Sequence, residues 1–180
     1  MLKITLKDGS TIDVEEGKLI IEVAKSISSS LAKNSVVAKL DGNLVDLKTP
    51  ITKDCSLELV TLEDPEAFPV LNHSCAHLLA QAMKRLYKNV KFGVGPSIEE
   101  GFYYDFGVEE SITSDDFAKI EAEMKKIVKE NLPINHYYLS KEEAKQKFAG
   151  DPYKCELIDA VDDDKVGIYE QGDYADVCRG

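Results

Sequence analysis

The chain has 180 residues, 43% of them apolar and 31% charged, and carries a formal net charge of −11. That composition excludes a disordered chain, and no apolar run approaches the roughly 18 residues of a membrane-spanning helix. The acid excess argues against a nucleic-acid module whose affinity rests on its own lysines and arginines.

The amino terminus, Met1 to Leu6, alternates like a strand and is not a signal peptide. Asp8-Gly9 is a hairpin turn signal, and Thr11 to Val14 is the partner strand. Gly17 breaks it. Leu19, Ile20, Val23, Ala24 and Ile27 then fall at helical spacing, and Ser28-Ser29-Ser30 ends that helix. Val36 to Leu40 is a strand, Asp41-Gly42 a second turn, Leu44-Val45 a short return, and Leu57 to Thr61 a last strand. The order β-β-α-β-β-β in about 60 residues predicts a β-grasp fold. Residues 1–62 form this unit. Residues 63–69, with Glu63-Asp64-Pro65-Glu66 and a second proline, read as a linker, and residues 70–180 as a second domain.

The second domain opens with a helix over Leu71 to Tyr87, rich in good helix formers. Phe92 to Pro96 is turn-rich, and Gly101 to Phe106 reads as an aromatic strand. Thr113 or Ser114 caps a charged helix whose apolar stripe is Phe117, Ile120, Met124, Ile127 and Val128. Ile134 to Leu139 is a strand. Ser140 and Glu143 make a capping box for a short helix ending near Gly150. Tyr153 to Val161 and Val166 to Tyr169 are strand candidates. The expected class is α+β, a β-grasp domain followed by a two-layer α/β domain.

Four cysteines, Cys55, Cys75, Cys155 and Cys178, are scattered without a CxxC pair. A chain of this size builds its own core, so the expectation is a reducing, cytoplasmic compartment without disulfides. Two of the three histidines, His73 and His77, lie one helical turn apart on one helix face. Such a pair holds a metal ion, or a water between two bases. Ser74 follows the first histidine where a zinc-protease motif requires glutamate. Gly93-x-Gly95 is too short for a nucleotide fingerprint and reads as a turn. His136 lies in a strand-like segment and receives no role.

Asn72-His73-Ser74-Cys75-Ala76-His77-Leu78-Leu79-Ala80-Gln81-Ala82 resembles the first signature of the editing domain of bacterial-type threonyl-tRNA synthetases. Gly101 to Asp105, Tyr153-Lys154 and Asp176-Val177-Cys178-Arg179-Gly180 resemble later segments of that domain, in order and at matching spacing. Residues 1–62 resemble the TGS domain that precedes it. The resemblance implies an N-terminal portion of such an enzyme, with the editing domain truncated and a histidine of its cluster expected two positions past Gly180.

Those enzymes face a problem of size. Serine lacks one methyl group of threonine, and a missing group of that size is worth about 1–3 kcal/mol, too little for faithful translation. A second, smaller pocket that hydrolyses seryl-tRNA(Thr) is the solution the resemblance implies. His73, His77, Cys178 and Lys154 are then the expected catalytic residues. The histidines act as bases or hold water, Lys154 orients water or stabilises developing charge, and Cys178 belongs to the cluster without a covalent role. Asp176 is expected to bind the serine amino or hydroxyl group and Tyr104 to line the pocket, while Cys75 points to the core.

The expected partner is the 3′ end of tRNA(Thr) carrying serine, with no membrane. Editing is expected to need no metal or other cofactor. ATP, magnesium and zinc belong to the ligase domain of the full enzyme, which is expected to be a homodimer, the present chain being monomeric. The alternatives are a TGS-type regulatory or RNA-binding module, which would lack the His73/His77 and Cys178 constellation, and a free-standing editing factor of the alanyl-tRNA synthetase type. The latter resembles this chain in its histidine pair but has no TGS domain, and its cluster holds zinc.

Overall fold

The structure, a computed structural model, describes residues 1–178. Its backbone separates into two units, Met1–Leu71 and Asn72–Gly180. The Arg179 and Gly180 positions of the last motif lie outside the described residues.

In the first unit, β1 (Leu2–Leu6) and β2 (Thr11–Val14) form a hairpin, followed by α1 (Ile20–Ile27) and α2 (Ser29–Asn34). Then come β3 (Ser35–Leu40), β4 (Asn43–Val45) and β5 (Cys55–Thr61). The sheet order is β2-β1-β5-β3-β4, with β1 and β5 parallel and the other pairs antiparallel. Ile4, Val14, Ile20, Val23, Ala38, Ile51 and Leu57 make the core under α1. This is the β-grasp arrangement. The Asp41-Gly42 turn between β3 and β4 has positive φ at both residues, 49° and 83°, the backbone twist a two-residue hairpin needs. One expectation is corrected. Ser28 closes α1 in an extended conformation, and its hydroxyl then accepts from Leu31 N at 3.4 Å to start α2. A residue suited to ending one helix is equally suited to capping the next.

Helix α3 (Ala67–Leu86) begins at Ala67, with Pro69 in its first turn, where a missing N–H costs nothing. The second unit continues with four two-residue strands, β6 (Lys91–Phe92), β7 (Ser97–Ile98), β8 (Gly101–Phe102) and β9 (Phe106–Gly107). After α4 (Phe117–Glu130) come β10 (Ile134–Ser140), α5 (Lys141–Lys147), α6 (Pro152–Asp159), β11 (Lys165–Gln171) and β12 (Tyr174–Val177). Strands β10, β11 and β12 form an antiparallel sheet in that order. One face carries Tyr137, Leu139, Val166, Ile168, Ala175 and Val177, packed with Ala144 of α5 and Ile158 of α6. The alternate residues, His136, Tyr138, Tyr169, Tyr174 and Asp176, share the other face, where His77 of α3 meets Tyr169 and Tyr174.

Three local expectations fail for physical reasons. Tyr153 to Val161 is helix, not strand: Asp151 accepts from Tyr153 N at 3.2 Å and Pro152 occupies the first turn, a helix start that outweighs the strand-like alternation of Tyr153, Cys155 and Leu157. The aromatic segment Gly101 to Phe106 is split into β8 and β9, because Asp105 instead pairs its backbone with Gly93 and Val94. On α4, Ile120 and Ile127 are buried, whereas Phe117 and Val128 lie exposed.

Candidate functional site

Five segments converge at the face of the β10-β11-β12 sheet that meets α3. Helix α3 brings His73 and His77, whose rings sit 4.6 Å apart between centroids, as their one-turn spacing dictates. Strand β12 brings Tyr174 and Asp176 to one face by its period of two, and Cys178 follows. Helix α6 presents Lys154, buried one turn before Ile158. The loop before β7 supplies Gly93 and Gly95, and Tyr104 lies between β8 and β9.

Asp176 is almost fully buried, and each of its oxygens is engaged. Oδ1 is ion-paired with Lys154 Nζ and accepts from Val177 N at 2.7 Å. Oδ2 accepts from Tyr104 Oη at 2.6 Å and Tyr174 Oη at 2.8 Å, and lies 3.6 Å from His77 Nε2. Lys154 has three N–H donors, and it spends them on Asp176, on Gly93 O at 2.9 Å and on Tyr104 Oη at 3.1 Å. A buried charge with all its partners in place is stable; either partner alone would be strongly destabilising.

Protonation follows from burial and this pair. Burial pushes His77 down to about 4 against the opposing pull of Asp176. Burial lowers His73 also. Both imidazoles are therefore neutral at pH 7 and free to accept a proton. Burial alone would raise the Asp176 carboxyl, but Lys154 and His77 outweigh it and hold the group below its ordinary value. Burial and the Asp176 charge raise Tyr104 and Tyr174, so both hydroxyls keep their protons.

His73, His77, Lys154, Asp176 and Cys178 line one cavity of about 720 Å³. The buried Nε2 of His73 has no hydrogen-bond partner among the described residues. Ligand atoms of His73, His77 and Cys178 lie within 4.8 Å of one another, a donor set that also suits a zinc ion. Three glycines, Gly93, Gly95 and Gly167, are part of the cavity wall, and two of them stand where a side chain would not fit. A Cβ on Gly95 would sit 2.2 Å from the Tyr104 ring, and one on Gly167 would sit 2.8 Å from Cys178 O.

Five of the six residues singled out line the cavity, and the expectation for Tyr104 is corrected, because it is buried behind the lining and not part of it. His73, His77, Cys178, Lys154 and Asp176 share the cavity, and Tyr104 stands behind it, bonded to two of them. Sequence reasoning missed Tyr174, whose position two residues before Asp176 in a strand was the available signal. It also missed Tyr169 and Tyr138, and it gave no role to His136, whose ring stacks on Tyr169 at 4.3 Å. All four cysteines are free thiols. No helix among the described residues is long and apolar enough to cross a membrane.

Residues 2–61 match the family described as TGS domain. The chain is 53% identical over 180 residues to a threonine–tRNA ligase of Staphylococcus saprophyticus, covering 99% of this chain and 28% of that one. It is 51% identical over 183 residues to threonine–tRNA ligase 1 of Bacillus subtilis, again covering 28% of the relative. A threonine–tRNA ligase of Staphylococcus aureus is 51% identical over 180 residues. The chain therefore matches these proteins along its whole length while spanning a little over a quarter of theirs.

Proposed function

We propose that this chain is a segment of a threonine–tRNA ligase and that its second unit carries the site that hydrolyses serine wrongly esterified to tRNA(Thr). The observation that carries the reading is the pairing of neutral, adjacent imidazoles with a buried carboxylate in one cavity.

Ester hydrolysis needs a base for water and stabilisation of the charge that forms. His77 takes the proton from the attacking water. The resulting imidazolium gains the Asp176 carboxylate 3.6 Å away, the same logic by which a buried aspartate supports a catalytic histidine. His73, the second neutral imidazole of the pair, lines the same cavity 4.6 Å from His77 between ring centroids and orients the water. Lys154 fixes Asp176 and Tyr104, since its donors are spent within the protein. Asp176 acts through His77 and not as a direct ligand of the substrate ammonium, because both of its oxygens are engaged within the protein. Gly95 lines the cavity with the Tyr104 ring directly behind it and no room for a Cβ between them, and this backed segment is the rigid wall against which the extra methyl of threonine clashes. Cys178 completes the cluster, and the hydrolysis runs on imidazole bases without a metal. The ligase activity, with its ATP, magnesium and zinc, and the homodimer belong to the rest of the enzyme. The present chain by itself is a cytoplasmic monomer.

The test is a deacylation time course on tRNA(Thr) charged with serine or threonine, with and without a zinc chelator. In a chain extended past Gly180 through the histidine that the resemblance implies, serine is cleared faster, His77→Ala lowers that rate by roughly 100-fold or more, and the chelator changes nothing. Equal loss of both amino acids would remove the sieve, and loss of activity with chelator would assign the cluster to zinc.

A further inference from the structure

The cavity is larger than a serine requires, and its outer edge is aromatic. Tyr138 of β10 lines it and is 63% exposed. Its ring meets His136 edge-on at 4.9 Å, and His136 stacks nearly parallel on Tyr169 at 4.3 Å. Tyr169 in turn meets His77 at 6.3 Å. An unbroken run of rings therefore leads from the proposed base to solvent. Opposite Tyr138 in the register stands Gly167, which places no side chain over this edge. An exposed tyrosine held at one side by a second ring, opposite a residue without a side chain, offers an open aromatic face.

Charge decides what that surface suits. Apart from the buried Lys154–Asp176 pair, the charged residues lining the cavity are Asp162, Asp163 and Lys165, in a chain of net charge −11. Two carboxylates against one ammonium leave this rim net negative, which disfavours a phosphate. A nucleobase needs no charge, because every base offers a π-face to an aromatic ring.

We propose that Tyr138, propped by His136, is a stacking shelf for the base of the nucleotide that carries the ester, a specificity-determining contact outside the hydrolytic cluster. The inference rests on the hydrolase reading, since it takes an aminoacylated nucleotide as substrate. By stacking on the shelf, the base fixes the ribose, and with it the ester, against the histidine pair.

The experiment compares two uncleavable probes. One is 3′-deoxy-3′-(serylamino)adenosine, with an amide in place of the ester. The other is the same serylamino ribose with methoxy in place of adenine. The expected result is that Tyr138→Ala weakens the adenosine probe by roughly 5- to 150-fold and leaves the base-less probe unchanged. The chain has no tryptophan, so Tyr138→Trp adds a sole indole. Its emission responds to the adenosine probe alone, a readout independent of the alanine variant. If wild-type protein binds both probes equally and Tyr138→Ala changes neither, the shelf is wrong and the hydrolase reading stands. If wild-type protein binds neither, both fall. An equal loss of both probes in Tyr138→Ala, with a silent indole, reduces Tyr138 to a structural residue.

Discussion

At the scale of single residues the site is governed by what burial does to charge. His77 titrates near 6.5 in an unfolded chain and at about 4 here. The unfolded state therefore binds the proton first as pH falls. Stability from this group is fully present above pH 6.5 and is lost between about 6.5 and 4, an amount on the order of 3 kcal/mol. His77→Gln removes that dependence, so urea unfolding at pH 7 and pH 4.5 should show a smaller acid loss in the variant than in the wild type. An identical loss would mean that His77 is not buried as a neutral base. The same burial that costs stability in acid keeps the imidazole unprotonated, and Asp176, held low, stays ionised to receive it.

At the scale of elements, the question is what keeps β12 in register with α3. Gln81, two turns after His73 and fully buried, donates to Gln171 O at 3.1 Å and Asp173 Oδ1 at 2.8 Å. Lys84 reaches Asp173 O, and Arg85 bridges Asp173 to Glu130 in a two-point contact, with Glu123 3.3 Å from its Nη1. The far end of the β11–β12 hairpin is thus tied to the helix that carries the histidines, and to α4. Arg85→Met leaves Glu123, Glu130 and Asp173 without this partner, and should destabilise the second unit by about 1–3 kcal/mol. Thermal unfolding checks the cost. Deacylation should fall by more than the unfolded fraction accounts for, because Asp176 sits three residues beyond the anchor. A variant with full activity per folded molecule would show that the tie serves stability alone.

At the scale of the whole molecule, the two units have separate cores, one around Ile4, Ile20 and Leu57 and others around Met83 and Ile158. Because α3 starts at Ala67, the irregular stretch between the last strand of the first unit and this helix is short, Leu62 to Glu66. We expect limited proteolysis to cut there first, and calorimetry to show two transitions. Arg85→Met should lower only the one that belongs to the second unit. A single transition that moves as a whole would show one cooperative body.

Local chemistry settled much of this molecule from the sequence. The Asp41-Gly42 turn, the Ser140/Glu143 capping box, and the shared face of His73 and His77 depend on residues one to four positions apart, and they form as the sequence predicts. What the sequence could not set is anything that depends on distant partners. Lys154 and Tyr104 are 50 residues apart, and Tyr104 and Asp176 are 72 apart. The family resemblance put Lys154, Tyr104 and Asp176 in one site, but nothing in their neighbourhoods says that they will join Tyr174 in one buried network. The Gly101 to Phe106 strand gave way for the same reason, since Asp105 found a backbone partner in Gly93 and Val94. Periodicity fixes which face a side chain occupies, while the partner it meets there, and so its charge state and its chemistry, is fixed only when α3, α6 and β12 pack together.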